Sequence, residues 1–89
     1  MKPVKIPLED HIDLHTFRPE EISVLLSEYF FECLKYGVFT VRVIHGKGRG
    51  FLKKGVMEIL KKNPLVESFK DAPMEAGGWG ATIVELKKR

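Results

Sequence analysis

The chain has 89 residues, 44% of them apolar and 30% charged, so it can bury one modest hydrophobic core and has no room for a second domain. It has no apolar run long enough to span a membrane, and its first eight residues lack the apolar segment of a signal peptide, so we expect a cytoplasmic protein without membrane contact. The single cysteine, Cys33, excludes an internal disulfide. It falls on the apolar side of a helical pattern, which predicts a small core residue rather than a nucleophile.

Positive charge is concentrated in the middle of the chain. Residues 42–62 carry seven Lys/Arg against one Asp/Glu, a net charge of +6, whereas residues 1–41 carry four against seven and residues 63–89 carry four against four. Such a basic segment attracts polyanions, nucleic acid above all, with an affinity that falls as salt rises. The alternative is a solvated helix face, for which the lysine pairs at 53–54 and 61–62 alone would suffice.

The beginning of the chain predicts an extended arm followed by a strand. Residues 1–8 contain two prolines, which favours an arm outside the folded domain. Residues 9–15 then alternate between polar and apolar side chains, which predicts a first strand. The polar face of that strand carries His11, Asp13 and His15.

Two helices and three further strands are predicted downstream. Pro19, followed by two glutamates, is typical of a helix start, and Gly37 stands where a helix-ending glycine is expected. The apolar spacing then predicts a strand at 38–44, a helix at 51–62 that Asn63-Pro64 ends, a weaker strand at 65–71, a turn-rich segment at 72–80 and a last strand at 81–86.

The element order β-α-β-α-β-β predicts a two-layer α/β sandwich, in which both helices cover one face of the sheet. The domain would extend over residues 9–86 and leave residues 87–89 as a basic tail. Strands joined by single helices run parallel, so the carboxyl ends of the first three strands would share one edge. Unless the third strand is antiparallel to the second, segments 13–15, 45–50 and 77–82 meet at this edge, where open α/β sheets bind ligands.

A glycine-rich segment, His45-Gly46-Lys47-Gly48-Arg49-Gly50, joins a predicted strand to a predicted helix. Backbone N–H groups and the positive end of the helix dipole point toward such a junction, and glycines let a polyanion approach the backbone closely. Lys47 and Arg49 stand between glycines, where no helix face requires them. We therefore predict a phosphate-binding loop.

The predicted edge carries side chains suited to phosphodiester cleavage, which needs a group that activates water, a group that protonates the leaving oxygen and donors around the phosphoryl oxygens. Asp13 could act as general base or as an oxygen ligand for transiently bound Mg²⁺ or Mn²⁺, while His15 and His45 could act as acid, base or ligand. This set is too small for a permanent metal cage, so we expect no tightly bound cofactor. The residues predicted to contact phosphate or nucleic acid are Gly46, Lys47, Gly48, Arg49, Gly50, Lys53, Lys54, Gly77, Gly78, Trp79 and Thr82.

These side chains also have structural interpretations. A histidine at a strand end is often a hydrogen-bonded structural residue, and Asp13 could cap the loop that follows its strand. Gly77-Gly78 could form only a turn with Trp79 packed over it. A Trp79 stacked on a nucleobase would instead contribute about 1–3 kcal/mol per base.

Several segments, in this order and spacing, resemble the Smr (small MutS-related) domain over about residues 9 to 86. They are Ile12-Asp13-Leu14-His15, Glu20-Glu21, Val43 through the glycine-rich segment to Gly50, and Gly77-Gly78-Trp79-Gly80-Ala81-Thr82-Ile83-Val84. The resemblance implies a sheet of order 1-2-4-3 with strand four antiparallel, similar to the carboxyl-terminal domain of translation initiation factor 3. It also implies that Asp13, His15 and the loop at 45–50 correspond to the acidic residue, the first histidine and the glycine motif of the family.

The resemblance further implies a role on nucleic acid, since some Smr domains nick or cleave DNA, others act on RNA and some bind with little cleavage. Two positions depart from the family: Thr16 where glycine is usual, and Arg18 where a Ser/Thr helix cap is usual and where the arginine could add a phosphate contact. We expect a monomeric Smr domain of the stand-alone bacterial type that nicks DNA or cuts RNA. A non-catalytic DNA- or RNA-binding module is the first alternative, and a protein-interaction domain is the second.

Overall fold

The computed structural model describes residues 11–14, 16–46 and 51–88. Its regular elements are β1 (His11–Asp13), α1 (Pro19–Lys35), β2 (Thr40–Ile44), α2 (Phe51–Lys62), β3 (Val66–Asp71) and β4 (Ala81–Leu86), with two 3₁₀ turns, Met74–Ala76 and Gly78–Gly80, between β3 and β4. The predicted arm at 1–8, the first two residues of the predicted first strand, His15, residues 47–50 and Arg89 lie outside the described residues.

The four strands form one mixed sheet of order β1-β2-β4-β3. Strand β1 pairs parallel with β2, and β4 pairs antiparallel with both β2 and β3. Strand β3 therefore runs in the same direction as β1 and β2. This confirms the predicted topology and meets the condition on which the shared carboxyl edge depends.

Both helices pack on one face of the sheet, because alternate strand residues carry the apolar side chains. On β2, Val41 and Val43 are at most 1% exposed, while Arg42 between them lies on the opposite, open face. The helices complete the core with Ile22, Leu26, Phe30 and Cys33 from α1 and Val56 and Leu60 from α2. Cys33 is fully buried, and burial raises the pKa of its thiol, which confirms its prediction as a core residue.

The ends of α1 follow the predicted signals. Pro19 occupies the first turn, and the backbone N–H of Arg18 donates to the Glu21 carboxylate at 3.1 Å, which gives the helix start a partner in place of a Ser/Thr cap. At the other end Gly37 has φ 77°, and the N–H of Val38 donates to the carbonyl of Cys33 at 2.8 Å. This is the glycine-terminated helix end that the sequence predicts.

Two strands begin later than predicted because local hydrogen bonds occupy their first residues. Val38 was expected in β2, but its N–H caps α1, and the strand begins at Thr40. Leu65 was expected in β3, but its N–H donates to the side-chain oxygen of Asn63 at 2.8 Å, so the strand begins at Val66. Neither described α-helix has the length and apolarity that a membrane span requires.

Candidate nucleic-acid interface

Three segments meet at the carboxyl edge of the sheet. Asp13, the last residue of β1, is in register with Ile44, the last residue of β2, and the N–H of Leu14 donates to the Ile44 carbonyl at 2.8 Å. On its other side Ile44 is paired with Ala81, the first residue of β4. For the described residues of the three segments, the convergence predicted from topology is therefore present in the backbone.

The start of the glycine-rich loop is hydrogen-bonded to the turn that precedes β4. The carbonyl of Gly80 accepts from the N–H of His45 at 3.1 Å and from the N–H of Gly46 at 2.8 Å. Gly46 has φ 81°, a conformation that favours glycine and turns the chain away from the β2 direction. The loop thus leaves the sheet directly beside the Gly78–Gly80 turn, and its remaining residues, 47–50, lie outside the described part of the chain.

The imidazole of His45 is packed inside the edge. It is 4% exposed, with Nε2 at 2.8 Å from Thr82 Oγ1 and Nδ1 at 3.2 Å from the Gly46 carbonyl. Because a carbonyl only accepts, Nδ1 carries the proton, and in the neutral ring Nε2 accepts from the Thr82 hydroxyl. Burial lowers the pKa of His45; the bond to Gly46 opposes this, and the charges of Lys53 and Asp71 act in opposite directions with smaller effect. The ring is therefore held neutral, with both nitrogens in hydrogen bonds.

Thr82, which the sequence places among the phosphate-contacting residues, is fully buried. It lies opposite Val43 in the β2–β4 ladder, on the face that the helices cover, and its hydroxyl bonds the His45 ring. In this arrangement Thr82 is hydrogen-bonded to the first residue of the loop, and its side chain does not face solvent.

Asp13 and His45 lie on different sides of the edge. Asp13 is exposed and in register with Ile44, so these two side chains share one face of the sheet. His45 follows Ile44, and because side chains alternate along a strand, it points to the other face. His45 points to the helix-covered face, where Thr82 contacts it, so Asp13 points to the open face. The structure brings their backbones together without bringing the two side chains together, and His15 lies outside the described residues.

An aromatic and charged cluster lies beside the loop on the helix-covered side. Trp79 is 45% exposed, and Lys53, from the first turn of α2, places its ammonium 5.6 Å from the centroid of the Trp79 ring. Lys53 Nζ also lies 2.9 Å from Asp71 Oδ1 at the end of β3. Lys54, the next predicted contact residue, is exposed. The cluster links α2, the end of β3 and the Gly78–Gly80 turn.

Gly77 and Gly78 shape the turn that carries Trp79. Gly77 has φ 115°, and a Cβ added to it would lie 3.1 Å from the Cβ of Ala81, so a larger residue would be strained and crowded there. Gly78 also has a positive φ, 57°, and is buried. Both glycines serve the path of the backbone, which is the structural interpretation considered from the sequence.

Two residues that sequence reasoning did not assign to the site support it. Arg42 Nη1 donates to the Ala76 carbonyl at 3.0 Å, which ties the first 3₁₀ turn to the open face of the sheet. Asp71 holds Lys53 in place. Two features of the sequence could have indicated these residues. Arg42 is a charged residue in the middle of an apolar strand, and Asp71 is an acidic residue at the end of the strand before the glycine turn.

The described residues offer a sparse donor set for a metal. Within 11–14, 16–46 and 51–88, no three His, Cys, Asp or Glu side chains lie close enough together to hold an ion. Asp13 contributes one exposed carboxylate to this edge.

Comparison with known proteins agrees with the fold. The chain matches the Smr domain family over residues 12–87. It is similar to Endonuclease MutS2 of Geobacillus sp. (strain WCH70), with 46% identity over 76 residues, and to Endonuclease MutS2 of Halalkalibacterium halodurans, with 40% identity over 80 residues. These alignments cover 85% and 90% of this chain but 10% of each relative, so the chain spans about a tenth of their length.

Two solved structures match most of the chain. The crystal structure of the Smr domain of Thermus thermophilus MutS2 has a TM-score of 0.81 and 35% identity, and the match covers 89% of this chain and 99% of that one. The crystal structure of YdaL, a stand-alone small MutS-related protein from Escherichia coli, has a TM-score of 0.80 and 27% identity, with 89% and 65% covered.

Proposed function

The chain belongs to the Smr domain family, and on that premise we propose that it binds the sugar-phosphate backbone of nucleic acid and cleaves phosphodiester bonds. The observation that carries the proposal is the single edge at which the ends of β1 and β2 and the start of β4 are hydrogen-bonded together. The glycine-rich loop begins at that edge, inside the segment with a net charge of +6. Supporting it, the two MutS2 relatives are named endonucleases, and the solved Smr domain of Thermus thermophilus MutS2 matches most of this chain.

Binding is the first part of the proposal. Lys53 and Lys54 lie in the first turn of α2, where the positive end of the helix dipole adds to their charge. Lys47 and Arg49, which precede this helix in the sequence, would contact the same phosphates. Such contacts address the backbone and carry no base sequence, so DNA and RNA both remain substrates of the proposal.

Cleavage is the second part. Asp13 would accept a proton from a water molecule as its oxygen attacks phosphorus, and His15, as imidazolium, would protonate the leaving oxygen as the P–O bond breaks. Alternatively, the Asp13 carboxylate would hold a transient Mg²⁺ or Mn²⁺, and the metal would supply the activation of water in place of a general base. For His45 we propose a positioning role, since its ring is neutral, buried and bonded to Thr82 and Gly46.

A nicking assay tests the proposal. Purified protein is incubated with supercoiled DNA and with structured RNA, in Mg²⁺ and in Mn²⁺, and compared with Asp13→Asn. We expect the variant to bind nucleic acid as tightly as the parent while cleavage falls by about 100-fold or more. Glu67→Gln is the matched control, because Glu67 is an exposed strand carboxylate at the start of β3, away from the edge, and it should leave cleavage unchanged. Cleavage that survives Asp13→Asn would refute this assignment.

A non-catalytic binding module is the second candidate. It is favoured by the geometry of the predicted catalytic set, in which Asp13 and His45 point to opposite faces and His45 is engaged in the interior. Under it, no substrate is cleaved in either metal, Lys47→Ala and Arg49→Ala weaken binding, and Asp13→Asn leaves binding unchanged or strengthens it by removing a negative charge. The two candidates predict similar binding by these variants, so cleavage by the wild-type protein is the result that separates them.

A further inference from the structure

We propose that Trp79 is a stacking platform for an unpaired base, so that this domain selects nucleic acid with a single-stranded segment beside the bound phosphate. The inference rests on the proposed binding function and names the substrate class of the same site. The first observation is that Trp79 is 45% exposed to solvent, although its indole is the largest apolar ring in the chain.

The turn that carries Trp79 is hydrogen-bonded to the first two residues of the glycine-rich loop. Trp79 immediately precedes Gly80, whose carbonyl accepts hydrogen bonds from the first two residues of the loop, His45 and Gly46. A base on the ring would therefore belong to a nucleotide close to the one whose phosphate contacts the loop. This placement is what a composite site for phosphate and base requires.

The ring is also held in a defined orientation. The Lys53 ammonium lies over it at 5.6 Å, within the range of a cation–π contact. Lys53 is itself paired with Asp71 at 2.9 Å, and its side chain is 22% exposed. The ring therefore has a partly buried cation on one face, while nearly half of the residue stays accessible.

The backbone below the ring is constrained as well. Arg42 bonds the carbonyl of Ala76 at 3.0 Å, the N–H of Gly78 donates to the Pro73 carbonyl at 2.9 Å, and Gly77 adopts φ 115° with little room for a side chain. A side chain presented on a rigid turn loses little conformational entropy on binding, which favours its use as a binding group.

Stacking on Trp79 restricts the substrate, because base faces inside a duplex are already covered by their neighbours. A protein aromatic ring reaches them in single strands, loops, gaps and branch points. Duplex would contact only the phosphate loop. The domain should therefore bind an unpaired segment more tightly than a duplex of the same length.

Fluorescence provides a direct test, because Trp79 is the only tryptophan in the chain. The full chain is titrated with a single-stranded DNA oligonucleotide, its RNA equivalent and the corresponding DNA duplex, with binding measured independently by anisotropy of a labelled strand. We expect quenching of Trp79 emission by the single strands and little by the duplex. A preference for DNA or for RNA would identify the sugar, and either supports the proposal.

Variants complete the test. Trp79→Ala should weaken single-strand binding by between about 5-fold and 150-fold, the loss expected for one stacked base, and leave duplex binding unchanged. Trp79→Phe should recover most of the affinity. Met74→Ala removes another large apolar side chain, 81% exposed, from the neighbouring turn and should have no effect.

The outcomes distinguish this inference from the proposed function. If wild type binds single strand and duplex equally, without quenching and without an effect of Trp79→Ala, the stacking role is wrong while binding stands. If wild type binds none of the three at low salt, the proposed function fails and this inference fails with it.

Discussion

At the scale of residues, the hydrogen bond between His45 and Thr82 is the most informative contact. Both residues suggest ligand contacts when considered in the sequence, since one opens a glycine-rich loop and the other follows a glycine-rich turn. In the fold they face each other across the β2–β4 ladder at 2.8 Å, with Thr82 fully buried. They join the start of the loop to β4, so they hold the point at which the loop leaves the sheet.

Thr82→Val should destabilise the fold, because it leaves Nε2 of His45 buried without a hydrogen bond. We expect a loss of about 1–3 kcal/mol in the free energy of unfolding, measured by urea denaturation. Thr40→Val is the matched control: the Thr40 hydroxyl also makes a 2.8 Å bond, to Glu85, but Thr40 is exposed and water can replace it. Equal losses in the two variants would contradict a specific role for the buried pair.

The buried His45 also predicts a pH dependence of stability. Its pKa in the folded state is lowered below the ordinary value of about 6.5, so the unfolded chain binds more protons between the two values. The stability that the neutral His45 ring contributes is complete above about pH 6.5, and it is lost as the pH falls through the pKa of His45 in the folded state. Chemical denaturation at several pH values should show this decline in wild type and in His11→Gln, and a weaker decline in His45→Gln. An identical pH slope in His45→Gln would rule out His45 as its source.

At the scale of elements, two glycines show how the same residue type has opposite uses. Gly37 ends α1 with φ 77°, a backbone conformation that residues other than glycine rarely adopt. Gly55 lies inside α2 with ordinary helical geometry, and a Cβ added there would meet no atom within 4 Å. The first glycine is required by the helix end, whereas the second only weakens its helix.

Alanine substitutions at these two positions should therefore have opposite signs. We expect Gly37→Ala to lower the free energy of unfolding by about 1–2 kcal/mol through backbone strain. Gly55→Ala should raise it by about 0.5–1 kcal/mol through higher helix propensity. Thermal or urea unfolding of the two variants checks the pair, and a destabilised Gly55→Ala would contradict the open space found at this position.

At the scale of the whole molecule, the fold determines which lysines of the basic segment lie near the glycine-rich loop. Lys53 and Lys54 begin α2 at the carboxyl edge, whereas Lys61 and Lys62 end the same helix, with Lys61 also near Glu58 at 3.7 Å. The two pairs are offset by eight positions along the helix, a rise of about 12 Å, which exceeds the screening length of about 8 Å at physiological salt. The pairs are alike in the sequence but differ in their distance from the loop.

Lys54→Ala should weaken nucleic-acid binding and reduce the slope of log affinity against log salt by about one contact. Lys62→Ala removes the same charge from the far end of the helix and should leave that slope nearly unchanged. Anisotropy titrations at several salt concentrations measure both. Equal effects of the two substitutions would indicate general attraction by net charge rather than a phosphate site at the edge.

The sequence by itself determined the elements and their order, because each depends on local signals: strand alternation, helix spacing, Pro19 and Gly37 at the ends of α1, and Asn63-Pro64 after α2. With the parallel rule for single-helix crossovers, this also predicted which segments meet. Its errors at Val38 and Leu65 arose where side-chain or helix-end hydrogen bonds took backbone groups that a strand would use.

Only the tertiary structure decided which side of the edge each side chain occupies. The direction of Asp13 depends on its register with Ile44, the burial of Thr82 on its place opposite Val43, and the support of Trp79 on a cation from α2 held by an acid from β3. These relations join residues that are distant in the chain. Local periodicity does not encode them, because strand register and helix packing are set by burial of the whole core.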